Sequence, residues 1–170
     1  ITMTTISGLA NATNLSVLNV ENMKAIKSLN LSNQKYLTTL KAIGSGIASA
    51  ALPAGAPISR LELPSVFSDI NLASLPYLTQ ENFIHENIGN VYSIQITDCP
   101  DLTDDFEWVY DWYTRKTTED KDCILILDNV DWSGVSGAEL ASIAQLGNVS
   151  LKGKVVLTDI TRGQGEVFTR

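Results

Sequence analysis

Six times along this chain an apolar residue, a polar residue and a second apolar residue follow one another in the same phase. The triplets are Leu18-Asn19-Val20, Leu29-Asn30-Leu31, Leu40-Lys41-Ala42, Leu61-Glu62-Leu63, Ile70-Asn71-Leu72 and Ile94-Gln95-Ile96. Three residues ahead of each stands another apolar residue: Leu15, Ile26, Leu37, Ile58, Phe67 and Val91. In extended backbone, alternate side chains face opposite ways, so the outer members of each triplet point inward and the middle one points to solvent. The middle residues are Asn, Asn, Lys, Glu, Asn and Gln, polar every time, which a generic buried sheet would not show. Each inward Leu or Ile contributes about 1.5–3 kcal/mol when fully buried. A strand this short cannot enclose its own apolar face, so the units must stack on one another.

Spacing sets how they stack. The triplets at Leu18, Leu29 and Leu40 lie 11 residues apart, which places consecutive short strands on opposite sides of a flat coil of about 22 residues. Leu40 to Leu61 is then one coil, and Leu61 to Ile70 a half coil. From Ile70 onward the steps lengthen to 24, 31 and about 30 residues, and helices take up the return side. The segment from Gly44 to Pro57, rich in Gly, Ala and Pro, is irregular and departs from a regular repeat. A helix is expected from Asp104 to Lys116, with Thr103 as N-cap, acidic residues in its first turn and Arg115-Lys116 in its last. Phe106, Val109, Tyr110 and Tyr113 form its packing stripe. A second helix opens on the capping box Ser136-Gly137-Ala138-Glu139, runs through Leu140, Ile143 and Leu146, and stops at Gly147. A third, weaker one is expected over Gln80 to Asn87. Two late strands, at Ile124-Leu125-Ile126-Leu127 and Val155-Val156-Leu157, lack a polar middle residue. Strands apolar on both faces are covered on both sides, so a neighbouring domain, a subunit or the chain's own terminal segment is expected over this end of the sheet.

Composition narrows the function classes. The 170 residues suit a single domain, residues 1–170, or a piece of an elongated repeat array. The opening at Ile1 without an initiator Met reads as an excised part of a longer polypeptide. With 12 Lys+Arg against 19 Asp+Glu and only Arg115-Lys116 adjacent, no basic patch exists to neutralise a run of phosphates, so nucleic acid is not an expected partner. No stretch approaches the roughly 20 apolar residues of a membrane span. Cys99 and Cys123 sit in or beside apolar runs and read first as two small buried thiols, with a disulfide as the alternative.

The triplets resemble bacterial leucine-rich repeats of the cell-surface type, over about residues 6–160. Over residues 58–157 the chain is similar, more specifically, to the leucine-rich segments of structural or tail-associated proteins of phages and prophages of gut bacteria. The likeness lies in the Leu-Pro turn phrases Leu61-Glu62-Leu63-Pro64 and Leu72-Ala73-Ser74-Leu75-Pro76-Tyr77-Leu78-Thr79, and in the strand-turn Ile94-Gln95-Ile96-Thr97-Asp98-Cys99-Pro100. It extends to the closing phrase Leu127-Asp128-Asn129-Val130-Asp131-Trp132 and, after a short helix, Leu151-Lys152-Gly153-Lys154-Val155. The expected fold is α/β: an irregular leucine-rich-repeat solenoid of short parallel strands with return-side helices in the C-terminal half. The resemblance implies a noncatalytic module at a virion or at a bacterial cell surface, with a protein or a cell-surface glycan as partner. It carries no catalytic, metal or cofactor residues.

Individual residues agree with that reading. His85 is the only histidine and has no nucleophile or second ligand placed near it by sequence. Glu107 and Asp111 form an i,i+4 pair on one helix face, not two carboxyls across a cleft. The loop Thr118-Glu119-Asp120-Lys121-Asp122 lacks the spaced ligands and the Gly of a calcium loop. Gly163 and Gly165 are followed by no helix that would make a phosphate site. The sequons at Asn11, Asn14, Asn30 and Asn148 matter only in a eukaryotic secretory pathway. Trp108 and Trp112, with Tyr110 and Tyr113, make the densest aromatic patch; it is read first as a helix stripe packed on the sheet, and alternatively as an exposed surface for carbohydrate or protein. The candidate binding surface is therefore the polar row Asn19, Asn30, Lys41, Glu62, Asn71 and Gln95, or the patch at Trp108 and Trp112. No enzyme activity and no cofactor are expected. Assembly contacts, including homo-oligomeric ones, are expected through the C-terminal strands.

Overall fold

The computed structural model describes residues 4–102, 107–119, 121–131, 153–161 and 167–168. Consecutive short strands fall in different sheets. Strand β1 (Val17–Asn19) pairs in parallel with β3 (Thr39–Lys41), Leu18 opposite Leu40, while β2 (Ser28–Asn30), which lies between them in sequence, pairs with β4 (Ser49–Ala51). The first sheet grows to β5 (Arg60–Leu63) and β7 (Phe83–His85), in the order β1-β3-β5-β7. The other side continues with β6 (Asp69–Ala73), β8 (Ser93–Thr97), β9 (Cys123–Asp131) and β10 (Gly153–Thr161), all parallel. Strand β11 (Val167–Phe168) closes that sheet antiparallel to β10. A bond from Ser68 N to Ala48 O, 3.0 Å, ties the approach to β6 onto the approach to β4. The protein is thus mixed α/β, with mostly parallel strands in sheets and few helices among the described residues.

The alternation read from the triplets is present atom by atom. Leu40, Leu61, Leu63, Ile70, Leu72, Ile94 and Ile96 are fully enclosed. Asn19, Asn30 and Asn71 are exposed, and Lys41, Glu62 and Gln95 are half-buried. The lead-in residues Ile26, Leu37, Ile58, Phe67 and Val91 are enclosed too, and both sheets contribute to one apolar cluster. The main chain is satisfied by the same stacking. Thr38 N donates to Ser16 O and Ser59 N to Thr38 O on one side. On the other, Ala48 donates to Lys27, Ser68 to Ala48, Tyr92 to Ser68 and Ile124 to Tyr92. Buried peptide groups left unpaired are costly, so this continuity fixes the register as firmly as the side chains do. Near the N-terminus the buried amide of Gln34 donates to Leu9 O at 2.7 Å and to Ala12 O at 3.3 Å, pinning a short 3-10 turn, Leu9–Asn11, to the next strand unit.

Left-handed residues recur in stacked positions, after β6, after β8 and within β9. Ser74, Asp98 and Asn129 have φ of 54°, 52° and 53°, and each follows directly on the paired set Ala73, Thr97 and Asp128. Asn and Asp tolerate this region better than other side-chain residues. Asn129 Nδ2 donates to Asp98 Oδ1 at 2.7 Å, so the corner is bonded along the stack.

One expectation is revised and two readings are completed. The Gly44–Pro57 segment does hold a strand, β4, with Ala50 opposite Leu29 and Ile47 enclosed as its lead-in. The helix expected over Gln80 to Asn87 is instead a 3-10 turn (Gln80–Asn82), strand β7 and a second 3-10 turn (Ile88–Asn90). Here the free edge of β5 takes the backbone of Phe83, Ile84 and His85 into the sheet, and tertiary pairing overrides local helical periodicity. The alternative of a disulfide is also set aside, since Cys99 and Cys123 are both free and buried. Helix α1 is described over Glu107–Lys116, joining β8 to β9. The start expected at Thr103 and Asp104, the stripe residue Phe106, Trp132 and the helix opening at Ser136 lie outside the described residues. Along α1, Val109 and Tyr113 are enclosed and Tyr110 is half-buried. Trp108 lies against Phe83 of β7 with ring centroids 5.6 Å apart, which brings the helix to the end of the first sheet. That helix accounts for the lengthened step between β8 and β9.

Glycine contacts test the stacking directly. A Cβ at Gly46 would run into the backbone carbonyl of Lys24 in the neighbouring unit, whereas Gly55, at φ 82°, has open space around it. Gly46→Ala is therefore expected to cost about 1–3 kcal/mol through overpacking. Gly55→Ala is expected to cost about 1–2 kcal/mol, from its left-handed backbone alone. Urea unfolding midpoints, paired with backbone amide shifts around Lys24, check this: the shifts move for Gly46→Ala only, and unperturbed shifts there would refute the contact.

Candidate functional site

The residues singled out as a binding surface do not form one surface. Asn19, Lys41 and Glu62 are register neighbours on the first sheet, and Ile84, 36% exposed, is the fourth in their row. Asn30 stands apart on β2, opposite Ala51. Asn71 and Gln95 are neighbours on the other sheet, where their row runs on to Ile126 and then Val156. Several of these side chains are occupied locally. Asn19 Oδ1 accepts from Glu21 N at 3.0 Å, and Asn30 Oδ1 accepts from Ser32 N at 3.1 Å and from Ser32 Oγ at 2.6 Å. These asparagines turn the chain out of the strand, as short amides do. Glu62 accepts from Arg60 Nε at 2.6 Å on its own strand.

The two tryptophans separate as well. Trp112 is 1% exposed and its indole N–H donates to Val91 O at 2.8 Å, so it packs and offers no accessible face. Trp108 is half-buried and donates to Gln80 Oε1 at 2.8 Å. It forms one wall of a cleft of about 470 Å³ between β7 and α1, a volume that suits a small ligand. Phe83 and Ile88 add apolar surface to this cleft, and Gln80, Asn87 and Arg115 add polar groups. Two further lining residues, His85 and Glu86, belong to it and are already committed to the fold. His85 Nδ1 accepts from Asn87 N at 3.0 Å, which leaves Nε2 as the protonated nitrogen, donating to Phe67 O at 3.1 Å. Glu86 accepts from Ser65 N at 2.9 Å and Gly44 N at 3.3 Å, closing off amides of two preceding turns. Asn87 Oδ1 accepts from Gly89 N at 3.0 Å. None of this was visible from spacing, because the cleft joins residues 28 apart that only the placement of α1 brings together.

Elsewhere, Lys116 is 4% exposed and donates to Gly89 O at 2.7 Å and to Glu119 at 2.9 Å, which locks the end of α1 to the turn before β8. Burial pushes the Cys99 and Cys123 thiols above their ordinary range, away from the thiolate form. Among the described residues no group of His, Cys, Asp and Glu is arranged to hold a metal ion, and no helix is long and apolar enough to cross a membrane. No protein-family model, curated protein or solved structure matches this chain.

Burial holds the His85 imidazole below its ordinary value of 6.5, outweighing the bond to Phe67 and the nearby Glu86 charge, both of which raise it. A lowered folded value means the unfolded chain binds the proton more readily. The stability linked to His85 is therefore fully present above 6.5 and is lost as pH falls through the folded value. Protonation would also set an Nδ1–H against the Asn87 N–H. Because this is the only histidine, urea unfolding between about pH 7.5 and about pH 5 isolates it. His85→Gln is expected to flatten that dependence; an unchanged pH slope in the variant would refute the assignment.

Proposed function

We propose that this chain is a noncatalytic interaction module, built as an irregular leucine-rich-repeat solenoid and working in a phage or prophage tail-associated protein, in assembly or host-surface contact. The observation that carries the reading is the change of character along one outward row. Asn71 and Gln95 are followed, in register, by Ile126 and Val156. Outward positions that are polar on early strands and branched apolar on late ones suit a sheet that begins in water and ends against a neighbour. Ile124 and Ile126 are half-buried, with the enclosed Leu125 and Leu127 between and beyond them on the inner face. Parallel pairing of strands 22 residues apart at Leu18 and Leu40, and again at Leu61 and Phe83, supports the repeat architecture. The resemblance of residues 58–157 to phage tail segments supports the setting. A second reading, an extracellular bacterial adhesin domain that binds host protein or glycan, is favoured by the cleft at Trp108.

The test is the mass and oligomeric state of the intact parent protein from its native source, by light scattering with mass spectrometry. Incorporation in a large multimeric particle is the expected result, and Ile126→Asp in the same protein is expected to reduce that mass. A parent that is a soluble or cell-anchored monomer, unaffected by Ile126→Asp, would overturn the assembly reading in favour of the adhesin.

A further inference from the structure

We infer that the cleft between β7 and α1 is a binding site for an acidic saccharide, a sugar unit bearing a carboxylate. The inference rests on the reading of this chain as a binding module and names the ligand class. It follows from which groups in the cleft remain uncommitted. Most acceptors are in use: His85 Nδ1 takes the Asn87 N–H, Glu86 Oε2 takes two turn amides and leaves Oε1 open to a sugar hydroxyl, Asn87 Oδ1 takes the Gly89 N–H, and Gln80 Oε1 takes the Trp108 indole N–H. Those same bonds orient both amides, leaving Gln80 Nε2 and Asn87 Nδ2 as donors. Arg115 is exposed and pairs with no carboxylate among the described residues. Its guanidinium lies against the Gly89 backbone, where an added Cβ would stand 3.0 Å from Arg115 Nη1.

The free groups are therefore mainly donors, and one of them is a cation with forked geometry suited to a carboxylate. A ligand that satisfies them is rich in acceptors and carries a negative charge. The apolar wall made by Trp108 against Phe83 demands more: a flat C–H surface beside those acceptors. A pyranose ring has both, with C–H bonds on one face and hydroxyls around its rim, and a uronate adds the carboxylate. An acidic peptide supplies the charge without that flat C–H face beside it.

The experiment uses the whole chain, 15N-labelled, titrated with di- and trigalacturonate and, in parallel, with the neutral galactose oligomers and an Asp/Glu-rich peptide. The indole N–H of Trp108 is identified by its loss in Trp108→Phe. Saturable shifts of that indole and of the Arg115 guanidinium are expected with the uronates, at a Kd on the order of 1 mM. Arg115→Gln, a change at an exposed position, is expected to weaken binding about tenfold and Arg115→Lys less. The proposal is overturned if the uronates give no saturation up to about 10 mM. It is equally overturned if Arg115→Gln binds as well as the parent, or if the neutral sugars or the peptide bind as tightly. The same spectra report whether the sugar stays intact. Binding with cleavage would keep the site and remove the noncatalytic reading, whereas absence of binding removes the site and leaves the assembly reading to the mass of the parent protein.

Discussion

From β1 to β8 this structure depends on parallel main-chain pairing between alternate strands of the sequence. A three-residue strand offers few hydrogen bonds and one or two apolar side chains, so alone it offsets only a fraction of the conformational entropy lost in ordering it. Paired at Leu18 with Leu40, and again at Leu40 with Leu61, the strands share their peptide groups and place their apolar members in one column. The intervening strands do the same on the other side, and the apolar cluster draws on both. Neither sheet has a dry face without the other, so the pairing and the burial are one requirement met twice.

That coupling decides what was legible in the sequence. The six triplets with polar centres were readable because burial and exposure alternate at adjacent positions, and the inward and outward assignments agree with the structure. Strand β4 was not readable because its inward residue is Ala50, which adds little apolar contrast against Ser49 and Ala51. Strand β7 was hidden for the opposite reason: its middle residue is Ile84, apolar and 36% exposed, and its lead-in position is polar. Both strands exist because an unpaired edge stood next to them, a condition set by residues about 22 positions earlier and not by their own composition. The stacked left-handed positions Ser74, Asp98 and Asn129 follow the same logic, since small polar residues tolerate that backbone without revealing that the positions lie on one another.

The candidate surface fared differently from the fold. Outward-facing polarity suggests recognition, yet Asn19 and Asn30 spend their side-chain oxygens on the main chain two residues ahead. Their polarity is explained by the exit from the strand, and so it says nothing of a partner. His85 and Glu86 likewise hold turns together. A polar residue on a repeat is informative about binding only after its local bonds are subtracted, and that subtraction needs coordinates.

What is left after the subtraction lies where the stacking changes character. Among the described residues the first sheet gains no further strand beside β7; α1 meets it there through Trp108, and a helix and a strand edge cannot meet as flush as two strands, because side chains on a cylinder diverge from those on a pleat. The mismatch opens the cleft between Phe83 and Trp108. It is also the point at which side chains are released from the pairing rule that fixes the rest. Gln80 is tied to the helix only through the Trp108 indole, and Arg115 projects from α1 toward Gly89 without a carboxylate partner among the described residues. The longer step between β8 and β9 thus inserts, into an otherwise regular stack, the one described place where an aromatic wall, free amide donors and a cation converge on an open cleft.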